Sequence, residues 1–366
     1  MRPRLKPALR RVYRDERTLQ FGTHPRRAVV LTDLEPGVRS WVESLDGTRD
    51  LAGALAGAAG AGIGERQARL LLDMLVDQGV VDDAGAPPRP LRALTLAERD
   101  RLQPELDALS LAPGAADGGF AALERRRAAQ VTVYGAGRVG AQVVALLAAS
   151  GVGRLCVVDP DAARPRDLAP GGLTPSELGM SRQDGAVTVA GRLAPAVTAW
   201  TGENAAHPAD GSRRPDLAVL APVKPLDGLL VRELVAWEIP HLLVSACEGF
   251  GSVGPLVLPG RSACLNCLDL ARRDRDPGWP IVSARLGGFP AGEIACGTAL
   301  STLVAAMATG HALALLDGRG TTVTNGTMDV LPDWRWKKTP WSVHPQCRCF
   351  RNEFGSLTMG ASATCR

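Results

Sequence analysis

Residues 131–161, VTVYGAGRVGAQVVALLAASGVGRLCVVDPD, constrain this chain more than any other stretch. Residues 131–134 are a short β-branched and aromatic run. Gly135, Gly137 and Gly140 then form G-x-G-x-x-G, and apolar residues at helical spacing continue through Leu147. The first glycine lets the strand turn sharply, the second lets backbone N–H groups approach a phosphate, and the third lets the helix pack close to the strand. Residues 155–158 read as a second buried strand. It ends at Asp159, about twenty residues past the last glycine, where a carboxylate can accept hydrogen bonds from a ribose hydroxyl. Strand before, helix after and acid at this distance predict an α/β fold, a doubly wound and mostly parallel Rossmann-like sheet. Occupancy by a nucleotide is a separate question.

Beyond Asp161 the pattern alternates: a helix over 182–193, strands at 197–201 and 216–220, a helix over 226–235 and a strand at 241–246. Residues 296–316 are apolar over a spanning length, but Thr298, Ser301, Thr302, Thr309, His311 and two glycines interrupt them, so they read as a buried helix and not a membrane span. No apolar segment follows the basic start closely enough for a signal peptide, and a cytoplasmic chain is expected. Its eight cysteines are then expected as thiols or metal ligands. The net charge of +4 argues neither for nor against nucleic acid.

Ahead of this fold the chain predicts a smaller unit. Three short strands (11–14, 18–21, 28–32) precede helices over 36–45, from 49 with Thr48 as cap, and over 65–78, and Val80 and Val81 start a closing strand. That order suits a winged helix-turn-helix, for which DNA is the ordinary partner. The third helix, ERQARLLLDMLVDQ, has three acids against two bases and an apolar middle, which suits a major groove poorly. The phrases LDGTRDLAGAL (45–55) and LLLDMLVDQGVVDD (70–83) make residues 5–83 resemble the PqqD-like leader-peptide recognition domains of pathways for ribosomally made, modified peptides. The resemblance implies that a peptide adds as a strand between the third strand, with Ala28, Val29, Val30 and Leu31, and the third helix, with Leu71 and Met74. AGAPPRPLR (84–92) marks a boundary, and Thr95 and Glu98 open a helix as a capping box. The expected organisation is 1–84, a linker with a helix at 85–119, the nucleotide-binding fold at 120–350 and a tail at 351–366.

Cys264 and Cys267 follow a glycine-rich strand, and Cys347 and Cys349 lie near the end in HPQCRC. Four thiolates, two of them in C-x-x-C, suit a tetrahedral structural zinc knuckle. The second pair is one residue closer than usual, which keeps His344 as an alternative ligand to Cys349. Cys156, Cys247 and Cys296 are expected in the core.

The Val-Tyr-Gly-Ala-Gly loop, the phrase SGVGRLCVVDPD, both cysteine pairs and the long helix together resemble the ThiF family, the ubiquitin-activating-like adenylyltransferases, over residues 120–350. The resemblance implies MgATP, adenylation of the C-terminus of a small protein or peptide, and a structural zinc on four cysteines. Joined to a peptide-recognition unit, it resembles the partner proteins of YcaO-type cyclodehydratases in azoline-peptide biosynthesis, with a precursor leader and the cyclodehydratase as partners and room for a homodimer. Gly135, Gly137, Gly140, Asp159, Asp161 and Arg182 form the nucleotide-binding set. The family's pattern is interrupted in several places: Arg138 breaks the second glycine pair, residues 167–171 (DLAPG) lose an arginine and a glutamine, Arg182 stands for a lysine, and residues 221–224 (APVK) lose the metal-holding carboxylates. Adenylation is therefore expected to be impaired or absent, while nucleotide binding could survive. A peptide-presenting scaffold, an active adenylyltransferase and a nicotinamide-dependent oxidoreductase remain as readings.

Overall fold

The computed structural model describes residues 1–202, 214–223, 226–285 and 296–349, in two units, Met1–Ala128 and Ala129–Arg366. The expected tail at 351–366 and Lys224 lie outside the described residues.

In the first unit β1 (Pro3–Leu5), β2 (Arg11–Asp15), β3 (Thr18–Phe21) and β4 (Val29–Leu31) precede α1 (Pro36–Glu43), α2 (Leu51–Gly60) and α3 (Glu65–Asp77), and β5 (Val81–Asp83) follows. β2, β3 and β4 form an antiparallel sheet in that order, so β4 is an outer strand. β5 pairs with β1, a strand too short to show a period in the sequence. Leu19, Phe21, Trp41, Val42, Leu72 and Leu75 fill the core between sheet and helices. One expected cap is corrected: Asp50, not Thr48, caps α2, accepting the Gly53 N–H at 2.8 Å, while the Thr48 hydroxyl donates to Asp46. A carboxylate one residue before the helix reaches the orphan N–H groups directly. α4 (Leu96–Ser110) starts where Thr95 accepts the Glu98 N–H, and α5 (Phe120–Ala128) follows. The buried Lys6 ammonium donates to the Ser110 and Ala115 carbonyls at 2.6 and 3.0 Å, which ties the 85–119 stretch into this unit.

The second unit carries β6 (Gln130–Tyr134), α6 (Gly140–Ala149), β7 (Arg154–Val158), α7 (Arg182–Leu193), β8 (Thr198–Thr201), β9 (Leu217–Leu220), α8 (Gly228–Ala236), β10 (His241–Cys247), β11 (Phe250–Val257), α9 (Leu265–Arg275), α10 (Trp279–Ala284), α11 (Thr298–Leu316), β12 (Gly326–Val330) and β13 (Trp336–Pro340). Among the described residues the sheet has eight strands in the order β13-β12-β11-β10-β9-β6-β7-β8. β10, β9, β6, β7 and β8 run parallel; the first four have largely buried centres, as strands covered on both faces must, while β8 at the edge (TAWT) is only half-buried. β11, β12 and β13 extend the sheet antiparallel. WKKTP in β13 is polar and mostly exposed, so nothing in its pattern distinguishes it from a loop.

α11 is long and apolar enough to cross a membrane by composition, yet Leu300, Val304, Ala305, Ala308 and Ala312 are buried in the core it shares with α6, β10 and β11.

Candidate functional site

The glycine loop leaves β6 at Tyr134, and Gly135 adopts φ +92°. A Cβ on Gly135 would lie 2.0 Å from the Ala221 carbonyl oxygen, and one on Gly140 would lie 1.9 Å from the Gly135 oxygen. Both positions therefore exclude a side chain: at Gly135 because the continuation of β9, beside β6, presses on the loop, and at Gly140 because the helix starts against the loop's own Gly135 carbonyl. Gly137 faces a cleft of about 1520 Å³.

Asp159, just past the end of β7, is buried, accepts the Ala136 N–H at 2.8 Å and lies 3.0 Å from Arg182 Nε. Among the described residues that nitrogen lacks a directed hydrogen bond, so the contact is one of charge. Arg182, also buried, opens α7 and reaches Asp161 at 2.9 Å and Asp167 at 3.4 Å. Backbone bonds lock this turn: the Arg182 N–H donates to the Asp161 carbonyl, the Gln183 N–H donates to the Asp159 carbonyl, and the Gln183 amide oxygen accepts the Asp159 N–H. One buried guanidinium thus serves three carboxylates. Its charge is committed inside the fold, and the cluster as a whole is negative where a phosphate would approach the loop. Asp167 was not singled out from the sequence, where it reads only as part of a segment that has lost an arginine. Arg138 donates to the Arg166 and Leu168 carbonyls and to the Thr298 hydroxyl, tying the glycine loop to the start of α11. Ala221, Pro222 and Val223 line the cleft beyond β9 with no carboxylate among them.

The same cleft is lined by Cys264, Cys347 and Cys349. The sulphurs of Cys264 and Cys267 are 3.7 Å apart, those of Cys264 and Cys347 3.6 Å, and those of Cys267 and Cys349 3.6 Å. Four sulphurs held at ~2.3 Å around a tetrahedral ion stand ~3.8 Å apart, so the quartet fits such an ion without rearrangement. Burial and the neighbouring thiols push Cys264 up to about 12, so without a cation the Cys264 thiol stays protonated. Burial also acts to raise Cys347, but hydrogen bonds led by that of the Asn266 amide, 3.2 Å away, outweigh it and leave it at about 7. His344 stands outside this quartet: its Nε2 pairs with Asp274 at 2.8 Å, and the four cysteines form the cluster without it. Cys156 is buried and Cys296 half-buried against the core, as expected. Cys247 is not core; it is exposed and lines the cleft, because β10 ends there in a tight hairpin to β11.

In the first unit Ala28, Val29 and Val30 are half-buried at and just before β4, and Leu31 turns inward. Leu71 and Met74 on α3 are half-buried against the same core as Val29, Leu75 is fully buried and Leu70 is exposed. Sequence reading missed the arginines of the cleft. Arg272 on α9 lies 5.0 Å from the ring centre of Trp279 and 5.9 Å from that of Trp341, and no local pattern brings these three together.

The search of curated proteins finds no match. The chain resembles solved structures over nearly its whole length. E. coli MccB with ATP has a TM-score of 0.70 at 14% identity, covering 96% of this chain and 100% of that one. The microcin C7 biosynthetic enzyme MccB in complex with N-formylated MccA has a TM-score of 0.71 at 13% identity, covering 96% and 100%. Selenomethionine PaaA has a TM-score of 0.69 at 16% identity, covering 92% and 99%. At such identities the likeness establishes the fold alone. The ThiF family profile matches residues 111–349, well over half of the sequence, and includes the glycine loop, the Arg182 cluster and all four clustered cysteines: the chain belongs to the ThiF family.

Proposed function

We propose that this protein is a peptide-presenting scaffold. Its first unit, winged-helix-like, binds the leader of a ribosomal precursor peptide as an added strand on β4, and its ThiF-type unit, with a degenerate adenylation site, helps present that peptide to a YcaO-type cyclodehydratase. The observation that carries this reading is the commitment of Arg182 to Asp159, Asp161 and Asp167. Adenylyl transfer needs cations and a metal free to meet the charge that develops on phosphate. Here the buried cation is neutralised by its own neighbours, and residues 221–223 supply no carboxylate for a metal. Peptide binding is supported by the outer position of β4 and by likeness to MccB, which has a structure in complex with N-formylated MccA. Cys264, Cys267, Cys347 and Cys349 would hold a structural zinc, which with four protein ligands offers no open coordination position.

A second reading, an active adenylyltransferase using MgATP on the C-terminus of a small protein or peptide, is favoured by the retained glycine loop and by likeness to MccB, which has a structure with ATP. ATP–pyrophosphate exchange separates the two. The scaffold predicts exchange at background with any candidate peptide, and robust peptide-dependent exchange would promote the adenylyltransferase in its place.

A further inference from the structure

The cleft wall is rich in arginine and short of acid. Arg164, Arg166, Arg232, Arg272, Arg285 and Arg348 line it, against Glu248 and Asp269 once Asp161 and Asp167 are assigned to Arg182. Among the described residues no carboxylate lies within ion-pair distance of Arg164, Arg166, Arg232, Arg285 or Arg348, all of them exposed. With Arg182, Asp161 and Asp167 counted, seven arginines face four carboxylates on this lining, a formal excess of +3 on a chain whose net charge is +4, which marks the cleft as the place where an anion is drawn.

Arg272 differs from the other five. It is half-buried, packed near the rings of Trp279 and Trp341, with Asp269 only at 3.8 Å. Cation–π contact within about 6 Å holds a guanidinium in place, so its planar donor fork is ordered before any ligand arrives. A fork so held loses little side-chain freedom on binding and favours planar anions that accept two parallel hydrogen bonds. The Trp279 indole N–H, on the same wall, is buried without a partner among the described residues.

We propose that this cleft receives the acidic side chains of the bound peptide, with Arg272 as the residue that sets specificity for carboxylate. This rests on the peptide-binding reading above and deepens it. The choice of a peptide over a nucleic acid follows from the walls. Leu226, Val231, Val235, Leu243, Leu268 and Val282 supply apolar lining between the arginines, as an extended peptide with alternating acidic and apolar residues would need. Trp279 and Trp341 already face guanidinium groups, so they are poor platforms for stacking bases. The negative cluster around Arg182 disfavours a triphosphate at the glycine loop and leaves the arginines as the attractive part of the cleft.

The test uses the full chain and two fluorescently labelled decapeptides, one alternating Glu and Leu and one alternating Gln and Leu, read by anisotropy. The Glu peptide should bind saturably and about tenfold more tightly than the Gln peptide. Arg272→Leu should remove most of that difference without changing the Gln peptide. Should Arg272→Leu fold poorly, the exposed Arg232→Gln on α8 should still weaken the Glu peptide several-fold. Equal affinity for the two peptides, or Glu-peptide binding indifferent to both arginine variants, would overturn the proposal, as would displacement by a single-stranded RNA of equal charge at lower concentration than the free peptide. Val30→Pro separates this proposal from the leader reading. Loss of Glu-peptide binding in that variant would move the site to β4 and remove the cleft assignment, whereas leader binding without Glu selectivity would remove the cleft proposal alone.

Discussion

A guanidinium shared among Asp159, Asp161 and Asp167 behaves as a structural cation, and the same economy of buried charge appears at His241. His241, on β10, is fully buried. Its Nδ1 lies 2.9 Å from the Ile239 carbonyl, so Nδ1–H donates there, and Nε2 has no partner among the described residues. Burial disfavours the imidazolium and lowers the pKa from 6.5 to about 4. Above pH 6.5 the ring is neutral in both folded and unfolded chains, and the fold keeps its full stability. As pH falls from 6.5 towards 4, the unfolded chain takes up a proton that the folded one refuses, so stability is lost, up to about 3 kcal/mol. Urea midpoints measured at pH 7 and at pH 4.5 should fall less steeply for His241→Leu than for the wild type. Parallel falls would mean that other groups dominate the acid sensitivity.

At the scale of elements, the outer strand β4 decides whether the first unit can take a peptide. Val30 faces Gln20 across the ladder, leaving the other edge of the strand to an incoming chain. Proline is tolerated at a sheet edge, yet it deletes one N–H and one hydrogen-bonding register for an added strand. Val30→Pro in the full chain should retain the far-UV circular dichroism of the wild type and lose binding of a labelled precursor leader by at least about tenfold. Unchanged leader affinity in a folded variant would place recognition elsewhere. The glycine turn between β6 and α6 is an element of another kind: its sequence is set by the two close approaches at Gly135 and Gly140, whether or not any nucleotide binds.

At the scale of the molecule, each unit has its own core. In the second unit the cysteine cluster joins points more than eighty residues apart, the start of α9 and the stretch just beyond β13. A metal held there closes a long loop, and its binding free energy adds to folding. Protein prepared without chelator should carry one zinc per chain by elemental analysis. Cys264→Ser should lose the metal, and both that variant and chelator-treated wild type should melt several degrees lower. A metal-free wild type with an unchanged melting temperature would leave the quartet as four packed thiols.

The doubly wound fold was legible in residues 131–161 because its signals are local: strand, glycine spacing, helix period and acid all fall within thirty-one residues. The cysteine quartet was legible because its ligand type is so restricted that two distant pairs suggest each other, although only the fold shows Cys349, and not His344, gathered with the other three. β1 and β13 were hidden, since a three-residue strand has no period and a polar edge strand resembles a loop. Cys247 appeared apolar by its neighbours and is exposed because a hairpin ends β10 at that residue. The fate of Arg182 was beyond sequence altogether. Whether a cation faces solvent or is consumed by carboxylates depends on which side chains three separate segments bring within 3.4 Å, and no spacing rule encodes that meeting.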